Sequence, residues 1–245
     1  MHAQRCREGF PLKEASSNVD LKKIAAIKAA DFVADGMRVG IGTGSTVAFF
    51  VEELANRIRD GLNVSALATS YQSRILCQAH GIPLMDTMFQ SRLDIAVDGA
   101  DEIDPQLNAI KGGGGAQTVE KIIASMADKF ILIADESKLV DRLCMKFPLP
   151  VEVLPDGLSL AKERISALGG RPNLRMALRK DGPVITENGN FILDISFESA
   201  PLDLRDLDTK LNLIPGLVET GLFLGLAKKA VIGSADQVKI LEARE

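Results

Sequence analysis

Apolar positions along the chain switch between a helical period and short continuous runs. In DLKKIAAIKAADFVADG, from Asp20, the residues Leu21, Ile24, Ala25 and Phe32 fall near one helical face, with Asp20 as the expected N-cap and Gly36 as the stop. MRVGIG then reads as a strand, GTGST as a loop, and TVAFFVEELANRIRDG as a helix ending near Gly61. The unit repeats with VSALAT as a strand, SYQSRILCQAHG as a helix closed by Gly81, and LDIAVD as a strand ending at Asp98. GADEID and the loop KGGGG follow, then a helix from about Thr118 to Met126 and a strongly apolar strand, FILIAD, reaching Asp135. Strands alternating with helices predict a Rossmann-like α/β fold, a mostly parallel sheet with helices on both faces.

Beyond FPLP the rhythm changes. PVEVL reads as a strand, SLAKERISALGG as a helix and LRMALR as a strand, with further strands around the turn signals Asp181-Gly182 and Asn188-Gly189. FILDISF, the helix DLRDLDTKLNLI and the strand LVETGLFLG complete a β-α-β-β-α-β order, the pattern of a ferredoxin-like α+β module. The expected organisation is a polar N-terminal extension over 1–19, an α/β catalytic domain over 20–147 with 220–245, and a ferredoxin-like small domain over 148–219.

Composition narrows the function classes. With 46% hydrophobic and 25% charged residues among 245, the chain falls outside disordered, collagen-like and coiled-coil classes. A formal net charge of −4 supplies no global field for nucleic acid or an anionic membrane, so neither is an expected partner. No apolar run reaches the ~18 residues of a membrane span, and Met1 to Asn18 lacks the apolar core of a secretory signal. Cys6, Cys77 and Cys144 are widely spaced and odd in number, which suits a reducing cytoplasm. Only His2 and His80 are present, so a His-centred triad or a His-rich metal site is disfavoured, and carboxylates and lysines are left to move protons.

Chemistry-bearing residues gather after strands. In VGIGTGST, Gly40, Gly42 and Gly44 lie between a strand and a helix, where amides and a helix N-terminus can cradle a phosphate, and Thr43, Ser45 and Thr46 add hydroxyls. A dinucleotide fingerprint fails, because Ser45 stands at its last glycine and Thr69 where its acid belongs; a Walker A loop fails for want of a lysine. In VDGADEID, Asp98 ends a strand and Asp101, Glu102 and Asp104 follow; such a turn can be a solvated loop, a set of caps or a ligand site. In IKGGGGAQTVEK, four glycines carry a large ordering cost, which suggests amides brought against an oxyanion beside Lys111 and Glu120. Lys138 lies beyond FILIAD. In a parallel sheet these loops converge on one edge, where open α/β sheets bind ligands.

Together VGIGTGST, VDGADEID, KGGGGAQTVEK, IADESK and KFPLPVEV resemble the type A family of ribose-5-phosphate isomerases, from about Asp20 to the C-terminus; LGGRPNLR, NGNFILD and IPGLVETGLF also fit. The resemblance implies interconversion of ribose 5-phosphate and ribulose 5-phosphate in the pentose phosphate pathway, with no metal or organic cofactor. It also implies a homodimer or homotetramer. It matches Glu120 to the catalytic base and Asp98, Asp101 and Lys111 to the other active-site residues. It assigns substrate binding to Thr43, Gly44, Ser45 and Thr46, to Asp98, Gly99, Ala100 and Asp101, to Lys111, Gly112, Gly113 and Gly114, and to Lys138, with Lys22 nearby. Val119 departs from the arginine common in the family, and the segment before Asp20 has no counterpart.

The residue types suit the reaction. Aldose–ketose isomerisation removes a proton from C2 and returns one to C1, which a single carboxylate beside both carbons can do. Glu120 is the candidate, with Lys111 and loop amides to stabilise the enediolate, and Asp98 or Asp101 to handle hydroxyl protons and ring opening. Both glycine-rich segments are open as the phosphate site. Two rivals remain at this point: a non-enzymatic sugar-phosphate sensor, which would need a DNA-reading module, and coenzyme A transfer with a glutamate nucleophile.

Overall fold

The computed structural model describes residues 18–235 and 237–243. The N-terminal extension up to residue 17, with His2 and Cys6, lies outside the described residues. The central sheet has six strands in the order β13-β12-β6-β3-β1-β2, built from β1 (Arg38–Ile41), β2 (Ser65–Ala68), β3 (Leu93–Gly99), β6 (Ala127–Asp135), β12 (Ala227–Gly233) and β13 (Val238–Glu242). All neighbours run parallel except the closing pair β12 and β13. The mostly parallel, helix-covered sheet expected from the alternation is therefore present.

Both faces of this sheet are apolar, as a parallel sheet buried between layers requires. On β6, Ile131 and Ile133 face one core cluster, while Phe130, Leu132 and Ala134 face the other. The first face is covered by α1 (Val19–Ala30), α2 (Ser45–Arg59) and Cys77 of α3 (Tyr71–Ala79); the second by Ile123 and Ala124 of α4 (Gln117–Met126).

The first helix departs from its expected outline. Its N-cap position is Asn18 rather than Asp20, it ends at Ala30 well before Gly36, and its buried face is Ala25, Ala26, Ala29 and Ala30. Small residues win over the larger Leu21 and Ile24 because the helix lies against the sheet backbone: a Cβ at Gly233 would stand 2.0 Å from the Leu21 carbonyl oxygen. Phe32 falls beyond the helix. Gly36 turns the chain toward β1 at φ +78, with its amide bonded to the Asn63 carbonyl.

A second, antiparallel sheet holds β7 (Leu149–Val153), β8 (Arg171–Leu174), β9 (Phe191–Ser196) and β10 (Leu217–Thr220) in the order β10-β7-β9-β8, with α5 (Leu158–Ala167) and α6 (Leu204–Asn212) packed on its own core. This is the β-α-β-β-α-β order read from the sequence. The third of these elements is shifted, however: the strand is RPNL, with Arg171 opposite Ser196, and LRMALR contributes only its first residue and an isolated bridge at Met176.

LVETGLFLG is not one strand. Gly221 breaks it into β10 and β11 (Leu222–Phe223), and β11 joins β4 (Glu102–Ile103) and β5 (Ala109–Ile110) in a three-stranded sheet that the sequence pattern did not reveal. Two-residue strands carry too little alternation to register as a period. Gly221 stitches the sheets together: its carbonyl accepts from the Lys111 amide at 3.0 Å and its own amide donates to the Pro150 carbonyl at 2.7 Å.

Two stability outcomes follow from these contacts. A Cβ at Gly221 would lie 2.3 Å from the Lys111 carbonyl oxygen, so Gly221→Ala should lower the free energy of chemical unfolding by about 1–3 kcal/mol. On α4, Gln117 is fully buried and neither polar atom of its carboxamide has a hydrogen-bond partner among the described residues. Gln117→Leu, similar in size and free of that desolvation cost, should raise stability by about 1 kcal/mol; an unchanged or lower unfolding midpoint would show that the amide is satisfied.

Candidate active site

The loops after β1 and β3 meet at the carboxyl edge of the large sheet, as the convergence argument expects, and Lys111 reaches the same edge from β5 of the three-stranded sheet, which that argument did not include. Asp98, at the end of β3, is 3% exposed and held on two sides. Its Oδ1 accepts from the Thr43 amide at 3.1 Å and the Gly99 amide at 2.7 Å, and its Oδ2 faces Lys111 Nζ at 2.9 Å. The chain after β1 reaches Asp98 only because residue 42 is glycine: a Cβ there would sit 1.9 Å from Oδ1.

Lys111 enters from the end of β5 and is itself buried. Its ammonium donates to the Gly99 carbonyl at 2.6 Å and sits 2.9 Å from Asp98 and 3.2 Å from Glu120 Oε2, with the Phe223 ring centroid 5.4 Å away. Glu120, in the first turn of α4, is also buried, and its Oε2 has the ion pair but no hydrogen-bond partner among the described residues. One cation thus serves two buried carboxylates.

The electrostatics follow from that count. Burial pushes the Glu120 carboxyl up, the Asp98 charge pushes it further, and Lys111 pulls back, leaving it raised to about 8. Asp98 is raised by burial against the pull of Lys111 and two amides. Burial acts to lower the Lys111 value, but Asp98 and Glu120 outweigh it and hold the ammonium above the ordinary lysine range. A carboxyl poised near neutrality beside a permanent cation can take up and return a proton, and the ammonium can stabilise an oxyanion.

The remaining expected residues surround this cluster. Asp101 accepts from the Gly113 amide at 2.8 Å, and a Cβ on Gly113 would come within 2.7 Å of that carboxylate. Gly112 takes φ +105, Gly114 lies near the Thr43 methyl, and Ala100 is half-buried between Gly99 and Asp101. Gly44 takes φ +118 as the N-cap of α2, whose first residues are Ser45 and Thr46; Lys22 Nζ lies 3.4 Å from Ser45 Oγ. Thr43 Oγ1 meets Thr69, Ser70 and Ser73 hydroxyls. Lys138 lies in the turn after β6, and its side chain makes no ion pair or hydrogen bond among the described residues. Val119 packs with the second core cluster.

Two acids of VDGADEID are structural. Glu102 accepts from the amides of Cys144, Lys146 and Phe147, and Asp104 closes its own turn through the amides of Gln106 and Asn108. Among the described residues no group of three or more His, Cys, Asp or Glu is arranged to hold a metal ion.

Sequence reasoning passed over several residues that shape the site. Arg175 clamps Asp194 and donates to the Gly112 and Gly113 carbonyls at 2.8 and 3.3 Å. Thr69 and Ser70 sit at the end of β2, on the same sheet edge, and the edge rule alone could have found them. A cavity of about 200 Å³ opens beside Thr43, lined also by Ser70, Gln72, Gly114, Thr186 and Glu187.

The model of the ribose 5-phosphate isomerase A (phosphoriboisomerase A) family matches residues 65–237. The ribose-5-phosphate isomerase A of Methanothermobacter thermautotrophicus is 49% identical over 224 residues, 91% of this chain and 98% of that protein. The namesake from Thermosynechococcus vestitus is 48% identical over 215 residues, 87% of this chain and 91% of its own. The solved ribose 5-phosphate isomerase A of Methanocaldococcus jannaschii superposes with a TM-score of 0.88 at 44% identity, covering 92% of this chain and all of that one. A D-ribose-5-phosphate isomerase structure in complex with phospho-erythronic acid gives 0.88 at 45% identity, over 91% of this chain and 98% of that one. With likeness of this extent running from the first strands to the closing sheet, the chain belongs to the ribose 5-phosphate isomerase A family.

Proposed function

We propose that the chain interconverts D-ribose 5-phosphate and D-ribulose 5-phosphate through an enediolate, with Glu120 as the base. The observation that carries this reading is the buried cluster in which Glu120 shares the Lys111 ammonium with Asp98. In the open-chain aldose the Glu120 carboxylate takes the C2 proton, the C2–H electron pair forms the C1–C2 double bond, and negative charge develops on the oxygen at C1. Lys111 and loop amides stabilise that charge. A proton moves from the hydroxyl at C2 to the oxygen at C1, and protonated Glu120 then delivers its proton to C1, leaving a ketone at C2. Asp98 and Asp101 flank the path of the hydroxyl protons, and Asp98, with a raised pKa and one oxygen on Lys111, is the group that assists ring opening.

The phosphate goes to the Gly44–Thr46 turn. The α2 N-terminus there has no side-chain cap, and Lys22 stands beside it. The alternatives are occupied: Glu187 and Ser70 already cap α3, and in the glycine loop the Gly113 amide is taken by Asp101 and the Gly115 amide by the Gly112 carbonyl. Gly112, Gly114, Gly99 and Ala100 line the sugar, with Lys138 at its phosphate end. The reading places the enzyme in the non-oxidative pentose phosphate pathway of the cytoplasm, as a homodimer or homotetramer. Free, buried Cys77 and Cys144 suit that compartment, and exposed Met88, Phe89 and Leu202 offer apolar surface to a second copy.

The direct test is conversion of ribose 5-phosphate, with ribose as the unphosphorylated control and EDTA in a parallel arm. Rapid turnover confined to the phosphorylated sugar is expected; none by folded protein would sink the proposal. Glu120→Gln keeps the shape but loses the base and should lower kcat by about 10²–10⁴-fold with KM little changed. Because burial raises the Glu120 value, the active carboxylate is lost as pH falls, so kcat/KM should rise with pH through an acid limb near 8. A flat profile across that range would remove Glu120 from the role.

A further inference from the structure

One acid interrupts the apolar run of β7. Glu152 is 0% exposed, and its partners are neutral: Thr118 Oγ1 donates to Oε2, Thr186 Oγ1 to Oε1 at 2.8 Å, Asn190 Nδ2 to Oε1 at 2.7 Å, and Asn188 Nδ2 lies 3.1 and 3.4 Å from the two oxygens. Taking a carboxylate out of water is costly unless it is fully hydrogen-bonded, and a satisfied buried network in return fixes geometry sharply. The donors come from two places. Thr118 is the second residue of α4, two before Glu120; the others belong to the turn 186–190. Within that turn, Glu187 offers both carboxylate oxygens to the Tyr71 amide at the start of α3, each at 2.8 Å, and Thr186 and Glu187 line the cavity beside Thr43.

Glu120 itself has little to hold it. Its Oε2 makes only the ion pair to Lys111, so the place of its carboxylate is set by the first turn of α4. We propose that Glu152 is a positioning residue, whose buried carboxylate ties the α4 turn bearing Glu120 to the turn 186–190 that walls the cavity beside Thr43. The proposal rests on the reading of Glu120 as the base. Displacements of about 1 Å at a reacting group can cost up to about a hundredfold in rate, so a tether two residues away acts directly on turnover.

Glu152→Gln places an NH2 group against a hydrogen-bond donor and can unfold the chain, so the decisive pair is Thr118→Val and Thr118→Ser. Thr118→Val removes the donor at nearly constant volume and should lower kcat about tenfold while KM for ribose 5-phosphate stays within about twofold. Thr118→Ser retains the hydroxyl and should keep parental kcat. Parental kcat in Thr118→Val, or equal losses in both variants, would overturn the proposal and leave Glu152 a purely structural group. Glu120→Gln run alongside separates the two readings: normal turnover there rejects the base, whereas an inactive Glu120→Gln with a fully active Thr118→Val rejects only the tether.

Discussion

A single ammonium, that of Lys111, is shared by two buried carboxylates. Lys111, Asp98 and Glu120 are each at most 5% exposed, so their charges cannot be screened and cannot all be satisfied at once. The arrangement carries one negative charge too many if every group ionises. Burial raises both acids, and the Asp98 charge adds to the rise at Glu120, which reaches about 8, while the lysine is held firmly charged. A carboxyl poised to gain or lose a proton is thus a direct result of crowding two acids around one cation in a buried volume.

Much of the surrounding backbone is shaped by the need to reach that cluster. Gly42 is where β1 must pass Asp98 without a side chain, and Gly113 is where the glycine loop must pass Asp101. The amides freed by these close approaches are the ones that bind the two carboxylates, at Thr43 for Asp98 and at Gly113 for Asp101. The ordering cost of the glycine run is offset in part by Arg175, which reaches from the antiparallel sheet to the Gly112 and Gly113 carbonyls.

The large sheet, its helices and the strand-edge position of Asp98 were legible because each element carries several residues of one period and because loops in a parallel sheet converge by topology, whereas Lys111 and Glu120 stood out through the glycine run between them. What escaped was set by partners distant in sequence. The alanine face of α1 depends on how closely Gly233 lets β12 approach, and Leu21 and Ile24 outbid those alanines on hydrophobicity alone. The break at Gly221 depends on the Pro150 and Lys111 backbones. The acids of VDGADEID look alike in sequence, yet Glu102 and Asp104 are consumed by backbone amides while Asp98 and Asp101 face the site. Glu152 left a signal in the lone charge within PVEV; its partners, thirty or more residues away on either side, did not.

The antiparallel sheet contributes more than stability to the site, because three separate polar links tie it to the catalytic edge. Gly221 fixes the backbone of Lys111, Arg175 fixes the carbonyl side of the glycine loop, and Glu152 fixes the start of α4. Each link ends on a different part of the candidate site, and none of them contacts Asp98, which is held by the Thr43 and Gly99 amides and by the Lys111 ammonium. The two sheets therefore divide the work. The parallel sheet sets the carboxylate that faces the lysine, and the antiparallel sheet sets the lysine backbone, the glycine loop and the start of the helix that carries Glu120.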